Sequence, residues 1–144
     1  MATAEQVNRI LKGKDGDMWF NGQLLSTMTK IEAKVKGDFE DVNFCGDSST
    51  HSVYNGWSGE GSFTCQKIDS TVFKLVAEAY KTGVMPTIKI ITRLTDQSSG
   101  ETERVSIEGI TITEFALASF EAKKMLEEEF PFKFSDYEVL DSIS

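Results

Sequence analysis

Alternation of apolar and charged residues restricts the fold of this sequence more than any other feature. In "TKIEAKVKG" (residues 29–37), Ile31, Ala33 and Val35 alternate with lysine and glutamate. A period of two places these three side chains on one face of a β-strand, whereas a helix would distribute the lysines around its whole circumference. The segment therefore predicts a strand with one buried face and one face in water.

Further strands are predicted on both sides of this segment. Asn21-Gly22 is a strong signal for a two-residue hairpin turn, since both positions tolerate positive φ. "PTIKIITRLTD" and "ERVSIEGITITEFALAS" are typical of two strands joined by the turn "DQSSG" (residues 96–100). The apolar residues change parity between Ile107 and Ile110, which predicts a β-bulge at Gly109.

Aromatic residues near the C-terminus predict the last strand. In "EEEFPFKFSDYEVL", Pro131 is compatible with an edge strand or a strand start. The phenylalanines on either side of it share one face of that strand, and we expect this face to pack toward helix residues Phe73, Val76 and Tyr80. The phenylalanines are Phe130, Phe132 and Phe134.

One helix is predicted, over residues 70–82. Its apolar residues fall on one face at 100° per residue, with Asp69 or Ser70 as the N-cap and Gly83 as the end. At 144 residues, one domain is the expectation. The predicted fold class is mainly β: an antiparallel β-sandwich or barrel with one flanking α-helix.

Two segments show neither the period of two of a strand nor the 3.6-residue period of a helix. Residues 45–62, "CGDSSTHSVYNGWSGEGS", contain four glycines and five serines, and we interpret them as a long mobile loop. Loops of this length in compact domains usually have a function. The polar residues 1–14 are interpreted as an N-terminal arm.

The charge balance argues against nucleic-acid recognition. The chain has 15 Lys+Arg against 23 Asp+Glu, a net charge of -8, and such a surface repels phosphate groups. No window reaches the ~18 apolar residues that a membrane span needs, and the N-terminus lacks a signal-peptide pattern. The chain is therefore expected in the cytosol when it is made.

No set of residues in the sequence fits a catalytic or metal centre. His51 is the only histidine and has no cysteine or second histidine near it for metal or nucleophilic chemistry. Cys45 and Cys65 lack the spacing of a zinc knuckle, so we expect reduced thiols, with a disulfide between them as the alternative. We predict no catalytic, metal-binding or cofactor-binding residue.

The order of these segments resembles a known family. "DQSSGETERVSIEGITIT" followed by "LEEEFPFKFSDYEVLD" is similar to the tail-tube proteins of contractile phages, particularly the PBSX-like prophage type, and to the tubes of phage-tail-derived bacteriocins. "GKDGDMWFNGQ", "NFCGD" and "STVFKLVAEAYKTG" extend the resemblance more loosely over nearly the whole chain. It implies a sandwich of two packed sheets with a flanking helix, and no enzymatic activity.

The resemblance also implies an assembly. Subunits would form hexameric rings that stack into a hollow tube inside a contractile sheath, for DNA passage or membrane puncture. The implied partners are further copies of the chain and the sheath, baseplate and tape-measure proteins, with DNA only as non-specific cargo and no membrane insertion by the monomer. The protein would be made in the cytoplasm of the bacterial host and then join a virion tail or a phage-tail-like particle.

Six residues are candidates for the assembly interface. Long loops bridge subunits in proteins of the kind that the chain resembles, which nominates five residues of the 45–62 loop. Arg104, flanked by Glu101, Glu103 and Glu108, would pair across a subunit seam, with a simple surface ion pair as the alternative. The five loop residues are Asp47, Ser49, His51, Tyr54 and Trp57.

A small ligand-binding β-barrel is the alternative from another class of function. A barrel would be a closed monomer with aromatic residues around an apolar cavity. A tube subunit would instead have open sheet edges that another subunit completes.

Overall fold

The structure, a computed structural model, describes residues 11, 13–67 and 70–143. A short 3-10 turn, Gly13–Asp15, precedes the first strand. The helix α1 spans Thr71–Thr82. The strands are β1 (Gly16–Phe20), β2 (Gln23–Leu24), β3 (Met28–Asn43), β4 (Thr50–Gln66), β5 (Ile90–Thr95), β6 (Thr102–Glu108), β7 (Thr111–Ile112), β8 (Glu127–Phe134) and β9 (Asp136–Asp141).

Two antiparallel sheets form a sandwich. Sheet A has the strand order β2-β1-β5-β6-β9, and sheet B has the order β3-β4-β8-β7. The mainly β fold with one helix is confirmed, and the sandwich is the correct form of it, because neither sheet closes into a barrel. The closed ligand-binding barrel is therefore not the architecture of this chain.

Buried side chains from both sheets and from α1 fill the space between the layers. Sheet A contributes Met18 and Ile90, both fully buried, and α1 contributes Val76. The phenylalanines of β8 share the face predicted for them and are 1–6% exposed. Ring contacts join Phe63 of β4 to both Phe130 and Phe132.

The helix lies where the sequence predicts it, with one difference in its contacts. Gly83 ends it in the left-handed conformation with φ 78°, whereas the Ser70 side chain makes no capping bond. Val76 joins the core with the β8 phenylalanines, as expected. The rings of Phe73 and Tyr80, however, contact Phe115, and no ring contact among the described residues joins them to the phenylalanines of β8. The Tyr80 hydroxyl donates to the carbonyl of Ile112, which ties α1 to sheet B.

Both predicted tight turns are present. Asn21 and Gly22 have φ angles of 51° and 83°, the left-handed conformations that a two-residue hairpin between β1 and β2 requires. The β5–β6 turn is organised by Asp96, whose carboxylate accepts hydrogen bonds from the Ser98 amide at 3.0 Å and the Ser99 hydroxyl at 2.9 Å. A hydrogen bond from the Ser98 hydroxyl at 2.7 Å, followed by those from the Ser99 hydroxyl and the Ser98 amide, holds the pKa of Asp96 below its usual value.

The irregularity at Gly109 is a crossing between the sheets, so the predicted bulge is wrong. Gly109, with φ 65°, separates β6 in sheet A from β7 in sheet B. Ser135 separates β8 in sheet B from β9 in sheet A in the same way, and its amide bonds the carbonyl of Glu108 at 3.3 Å. The two crossings are therefore adjacent, and the change of parity after Ile107 marks a change of layer.

The 45–62 loop of the sequence prediction is also wrong. Residues 50–66 form β4, which pairs with β3 from Met28↔Cys65 to Asn43↔Thr50. Gly59 and Gly61 hide the period of two because they make room for aromatic rings. A Cβ on Gly59 would overlap the ring of Phe134, and one on Gly61 would overlap the backbone of β3 and the ring of Phe132.

Two further expectations concern the N-terminus and the cysteines. The arm predicted for residues 1–14 lies largely outside the described residues. Cys45 is exposed in the β3–β4 turn, whereas Cys65 is buried near the far end of β4. No disulfide joins these two residues, so the disulfide alternative is wrong.

Candidate assembly surface

The β3–β4 hairpin extends beyond the rest of sheet B. In the described residues, β4 pairs with β8 from Gly59 to Gln66, while Thr50–Ser58 pairs with β3. We call residues 38–56 the ribbon. At about 3.4 Å per residue, its paired strands and turn extend the hairpin roughly 25 Å past Gly37 and Trp57. A two-stranded ribbon that no other sheet or helix covers cannot bury a core, so both faces of the ribbon are open to contact with another protein.

Apolar and aromatic side chains are exposed along the ribbon. Phe39 and Tyr54, a ring pair 5.7 Å apart, are 60% and 57% exposed. Phe44 is 59% exposed and packs edge-on against His51, with ring centroids 5.5 Å apart. Val53 is also exposed. Exposed apolar residues in such density are typical of a surface that another protein covers.

Asp47 organises the turn at the tip of the ribbon. Its carboxylate accepts a hydrogen bond from the Ser49 amide at 2.9 Å and lies 2.8 Å from Nε2 of His51. The hydrogen bond with His51, followed by that with Ser49, lowers the pKa of Asp47. At neutral pH the tip therefore carries an ionised carboxylate beside an imidazole and an aromatic ring.

The structure brings four of the six predicted interface residues together. Asp47, Ser49, His51 and Tyr54 all lie on the ribbon. Trp57 lies at its base, half-buried against Phe134 and Tyr137, so part of its surface serves the fold of the same chain. Arg104 lies on the other sheet.

Arg104 has a charged partner within its own chain. Its Nη1 is 3.7 Å from Oδ2 of Asp141 on β9, and the two side chains are 42% and 51% exposed. Glu103 and Glu108 lie on the same strand, yet the ion pair is made with a residue from the far end of the chain. The sequence could not identify this partner because the β6–β9 pairing depends on the crossing at Ser135.

Sequence reasoning missed two further exposed apolar regions. The segment between β7 and β8 exposes Leu117, Phe120 and Met125 by 76–86%. The edge strand β9 exposes Val139 and Leu140. Leu117, Val139 and Leu140 fall in segments that the sequence analysis assigned to strands, whereas Phe120 and Met125 lie between those segments. A prediction of β9 as an edge would have required the sheet order.

The described residues hold no group of three or more His, Cys, Asp or Glu side chains placed to bind a metal ion. Among the same residues, no helix has the length and apolarity to cross a membrane.

Two open sheets with an exposed apolar ribbon are typical of β-proteins that assemble through their edges. The chain belongs to the phage tail tube protein family, whose model matches residues 3–141. It is 31% identical over 143 residues to the phage-like element PBSX protein XkdM of Bacillus subtilis (strain 168), covering 98% of this chain and 97% of that protein. It is 28% identical over 142 residues to the uncharacterized protein YqbM of the same strain, covering 97% of each. These matches confirm the resemblance drawn from the sequence.

Solved structures share the fold at low sequence identity. A chain in the cryo-EM structure of an extracellular contractile injection system, the PVC sheath-tube complex in its extended state, matches with a TM-score of 0.76 and 9% identity, covering 99% of this chain and 100% of that one. A chain in the anti-feeding prophage cap matches with a TM-score of 0.76 and 8% identity, covering 92% of each. The two-sheet arrangement is therefore a known fold.

Proposed function

We propose that the chain is the inner-tube subunit of a contractile phage tail or a phage-tail-like particle. Copies assemble into hexameric rings, and the rings stack around a channel for DNA passage or membrane puncture. Membership of the phage tail tube protein family supports this role, as does the fold shared with a chain of a sheath-tube complex. The role is structural and involves no catalysis.

The exposed ribbon is the observation that carries the proposal. Phe39, Phe44 and Tyr54 each expose more than half of their surface, on a hairpin that the body of the same chain does not cover. Burial of apolar surface drives protein association, so a second copy of the chain gains stability by covering these rings. The ribbon residues Asp47, Ser49 and His51 then lie at the contact between subunits.

The net charge of the chain supports DNA as a cargo, and solved structures with this fold support the protein partners. A net charge of -8 per subunit repels the phosphates of DNA. DNA can therefore move along a ring of subunits as cargo, without the ring binding its bases or phosphates. One solved structure with this fold is a sheath-tube complex and another is a baseplate. By analogy, sheath and baseplate proteins contact this tube, and the family resemblance adds tape-measure proteins as a further partner. The tube is assembled from protein made in the host cytoplasm.

Electron microscopy of the purified chain tests the proposal. We expect rings or tubes of uniform diameter that appear above a threshold concentration. The variant Phe39→Ser/Tyr54→Ser removes the exposed ring pair, and we expect it to stay folded by circular dichroism without forming tubes. Monomers at every concentration of the unaltered chain would contradict the tube proposal. Normal tubes from the double variant would show that the ribbon is not the contact.

A further inference from the structure

Core-facing side chains are exposed where the ribbon leaves the body of the sandwich. Tyr137 of β9 pairs with Ile107, which is buried in the core, and Val139 pairs with Val105. Directly opposed residues of antiparallel strands share a face, so both β9 side chains point toward the core. Tyr137 and Val139 are nevertheless 43% and 57% exposed. The chain therefore leaves part of its own core surface uncovered at this place.

The core side of the ribbon continues this uncovered surface. Trp57, at the base of the ribbon, contacts Tyr137 edge-on, with ring centroids 5.3 Å apart. Opposite Trp57, the ring of Phe39 fills the space that a side chain on Gly37 would take, and the ring of Tyr54 lies beside Phe39. We call this apolar surface the hollow. Its residues are Val35, Phe39, Tyr54, Trp57, Tyr137 and Val139.

Acidic side chains dominate the two elements that form the hollow. The ribbon contains four acidic residues and β9 contains three, and neither contains a lysine or an arginine. Lys34 and Lys36 flank Val35 on β3 and therefore lie on the opposite face of that strand. The hollow consequently favours an apolar segment with positive charge and repels the ribbon of a second copy. The acidic residues are Asp38, Glu40, Asp41, Asp47, Asp136, Glu138 and Asp141.

The segment between β7 and β8 has the complementary character. The three large apolar side chains of residues 116–125 are 76–86% exposed, so this segment does not fill the hollow of its own chain. Lys124 pairs with Glu121 at 3.1 Å, and Lys123 makes no ion pair within the described part of the chain. The segment therefore offers apolar surface together with an available cation. The apolar residues are Leu117, Phe120 and Met125.

We propose that residues 116–125 of a second copy dock in the hollow, with their apolar side chains against its rings and Lys123 toward its acidic residues. This inference rests on the proposed tube function and names the part of the second copy that covers the ribbon. The contact joins two different surfaces of the chain. Such heterologous contacts build rings, whereas contacts between identical surfaces close a dimer.

Other occupants of the hollow fit less well. Val84 and Met85, which follow α1, are also exposed, by 73% and 48%. Met85, however, lies beside Val76 and Ile88 of its own chain, so this pair offers one freely available side chain where residues 116–125 offer three. Nucleic acid does not fit, because the acidic residues around the hollow repel its phosphates.

Tube assembly by purified variants tests the inference, because no other protein is then present. Phe120→Asp alters the docking segment, Val139→Asp alters the hollow, and Val84→Asp adds the same charge at another exposed apolar position as the matched control. We expect Phe120→Asp and Val139→Asp each to raise the threshold concentration for tubes by about tenfold or more, since each removes apolar burial from the contact. Val84→Asp should match the unaltered chain.

A mixture of the two variants tests which surfaces meet. Phe120→Asp keeps an intact hollow, and Val139→Asp keeps an intact docking segment. At a concentration where neither variant assembles alone, an equimolar mixture should form one-to-one dimers that grow no further. Sedimentation velocity measures the mass of the mixture against that of each variant.

Each other outcome overturns the inference for a distinct reason. Tubes from Phe120→Asp at the unaltered threshold would show that another segment fills the hollow. An equal rise for Val84→Asp would mean that added charge, and not this contact, controls assembly. A mixture that stays monomeric while both variants fail alone would mean that these two surfaces do not meet.

Near-UV circular dichroism checks the fold of each variant. If Val139→Asp unfolds, Val139→Thr replaces it in both experiments, because threonine keeps the β-branched shape and removes apolar surface. Phe120→Asp changes a side chain that is 81% exposed, so its fold should be that of the unaltered chain. An unaltered chain that never forms tubes would overturn the proposed function as well, which distinguishes the two failures.

Discussion

Phe132 lies at the centre of the core and is 1% exposed. Its ring contacts those of Phe63 and Phe134, each at 6.2 Å between centroids. We expect Phe132→Ala to lower the free energy of unfolding by about 3–5 kcal/mol, because the neighbouring rings cannot fill the cavity. Denaturant unfolding of the monomer measures this loss. Phe120→Ala, at a position 81% exposed, is the control and should change stability by less than about 0.5 kcal/mol.

Asp96 gives the β5–β6 turn a dependence on pH. Hydrogen bonds from Ser98 and Ser99 lower the pKa of its carboxyl in the folded chain. A lowered pKa means that the ionised group stabilises the fold above the unfolded value of about 3.9, and that this contribution disappears as the pH falls through the folded pKa. We expect Asp96→Asn to have a lower Tm than the unaltered chain near pH 6.

The difference in Tm between the unaltered chain and Asp96→Asn should shrink once the pH falls below about 3.9. Asp38→Asn, at an exposed position of the ribbon, is the matched control and should follow the unaltered chain at every pH. A difference for Asp96→Asn that stays constant down to acidic pH would show that the carboxylate does not stabilise the turn.

At the scale of elements, the ribbon is the least supported part of the sandwich. Its strands pair with each other, whereas residues 59–66 of β4 pair with both β3 and β8. Isolated two-stranded ribbons are marginally stable in water, so we expect the amides of residues 39–54 to exchange quickly in the monomer. In tubes the same amides should exchange slowly. Hydrogen exchange followed by mass spectrometry compares the two states.

Residues 59–66 serve as the internal reference for that experiment. They should be protected in monomer and tube alike, because β8 covers one edge of β4 over this range. Strong and equal protection of residues 39–54 in both states would mean that assembly does not stabilise the ribbon.

Local patterns predicted some elements because their chemistry is local. The Asn21-Gly22 turn needs two left-handed residues, and the helix ends at a glycine, so both could be located from neighbouring residues alone. The face of Phe130, Phe132 and Phe134 follows from a period of two. Each of these features is independent of which strand lies beside it.

Elements that depend on distant partners could not be located in this way. Gly59 and Gly61 are compatible with a strand because rings of β8 occupy the space of their missing side chains, a fact that the β4 sequence does not contain. The candidate site shows the same limit. Four interface candidates lie on the ribbon because they are close in sequence, whereas the contact between Arg104 and Asp141 depends on the order of strands in sheet A.

At the scale of the whole molecule, charge opposes assembly while apolar burial favours it. Each subunit carries a net charge of -8, and the proposed ring would multiply that charge in a small volume. The exposed rings of the ribbon and the edge strand β9 offer the apolar surface that offsets this repulsion. The balance between the two must therefore depend on ionic strength.

We expect salt to promote tube formation. The Debye length falls from about 30 Å at 0.01 M to about 10 Å at 0.1 M, so repulsion between subunits weakens strongly over this range. The threshold concentration for tubes, measured by sedimentation in increasing NaCl, should therefore fall between 0.01 M and 0.1 M. Sodium chloride is preferred to sulfate, which would strengthen apolar burial by itself. A threshold that rises steeply over the same range would mean that attraction between exposed charges, and not burial of the ribbon, holds the subunits together.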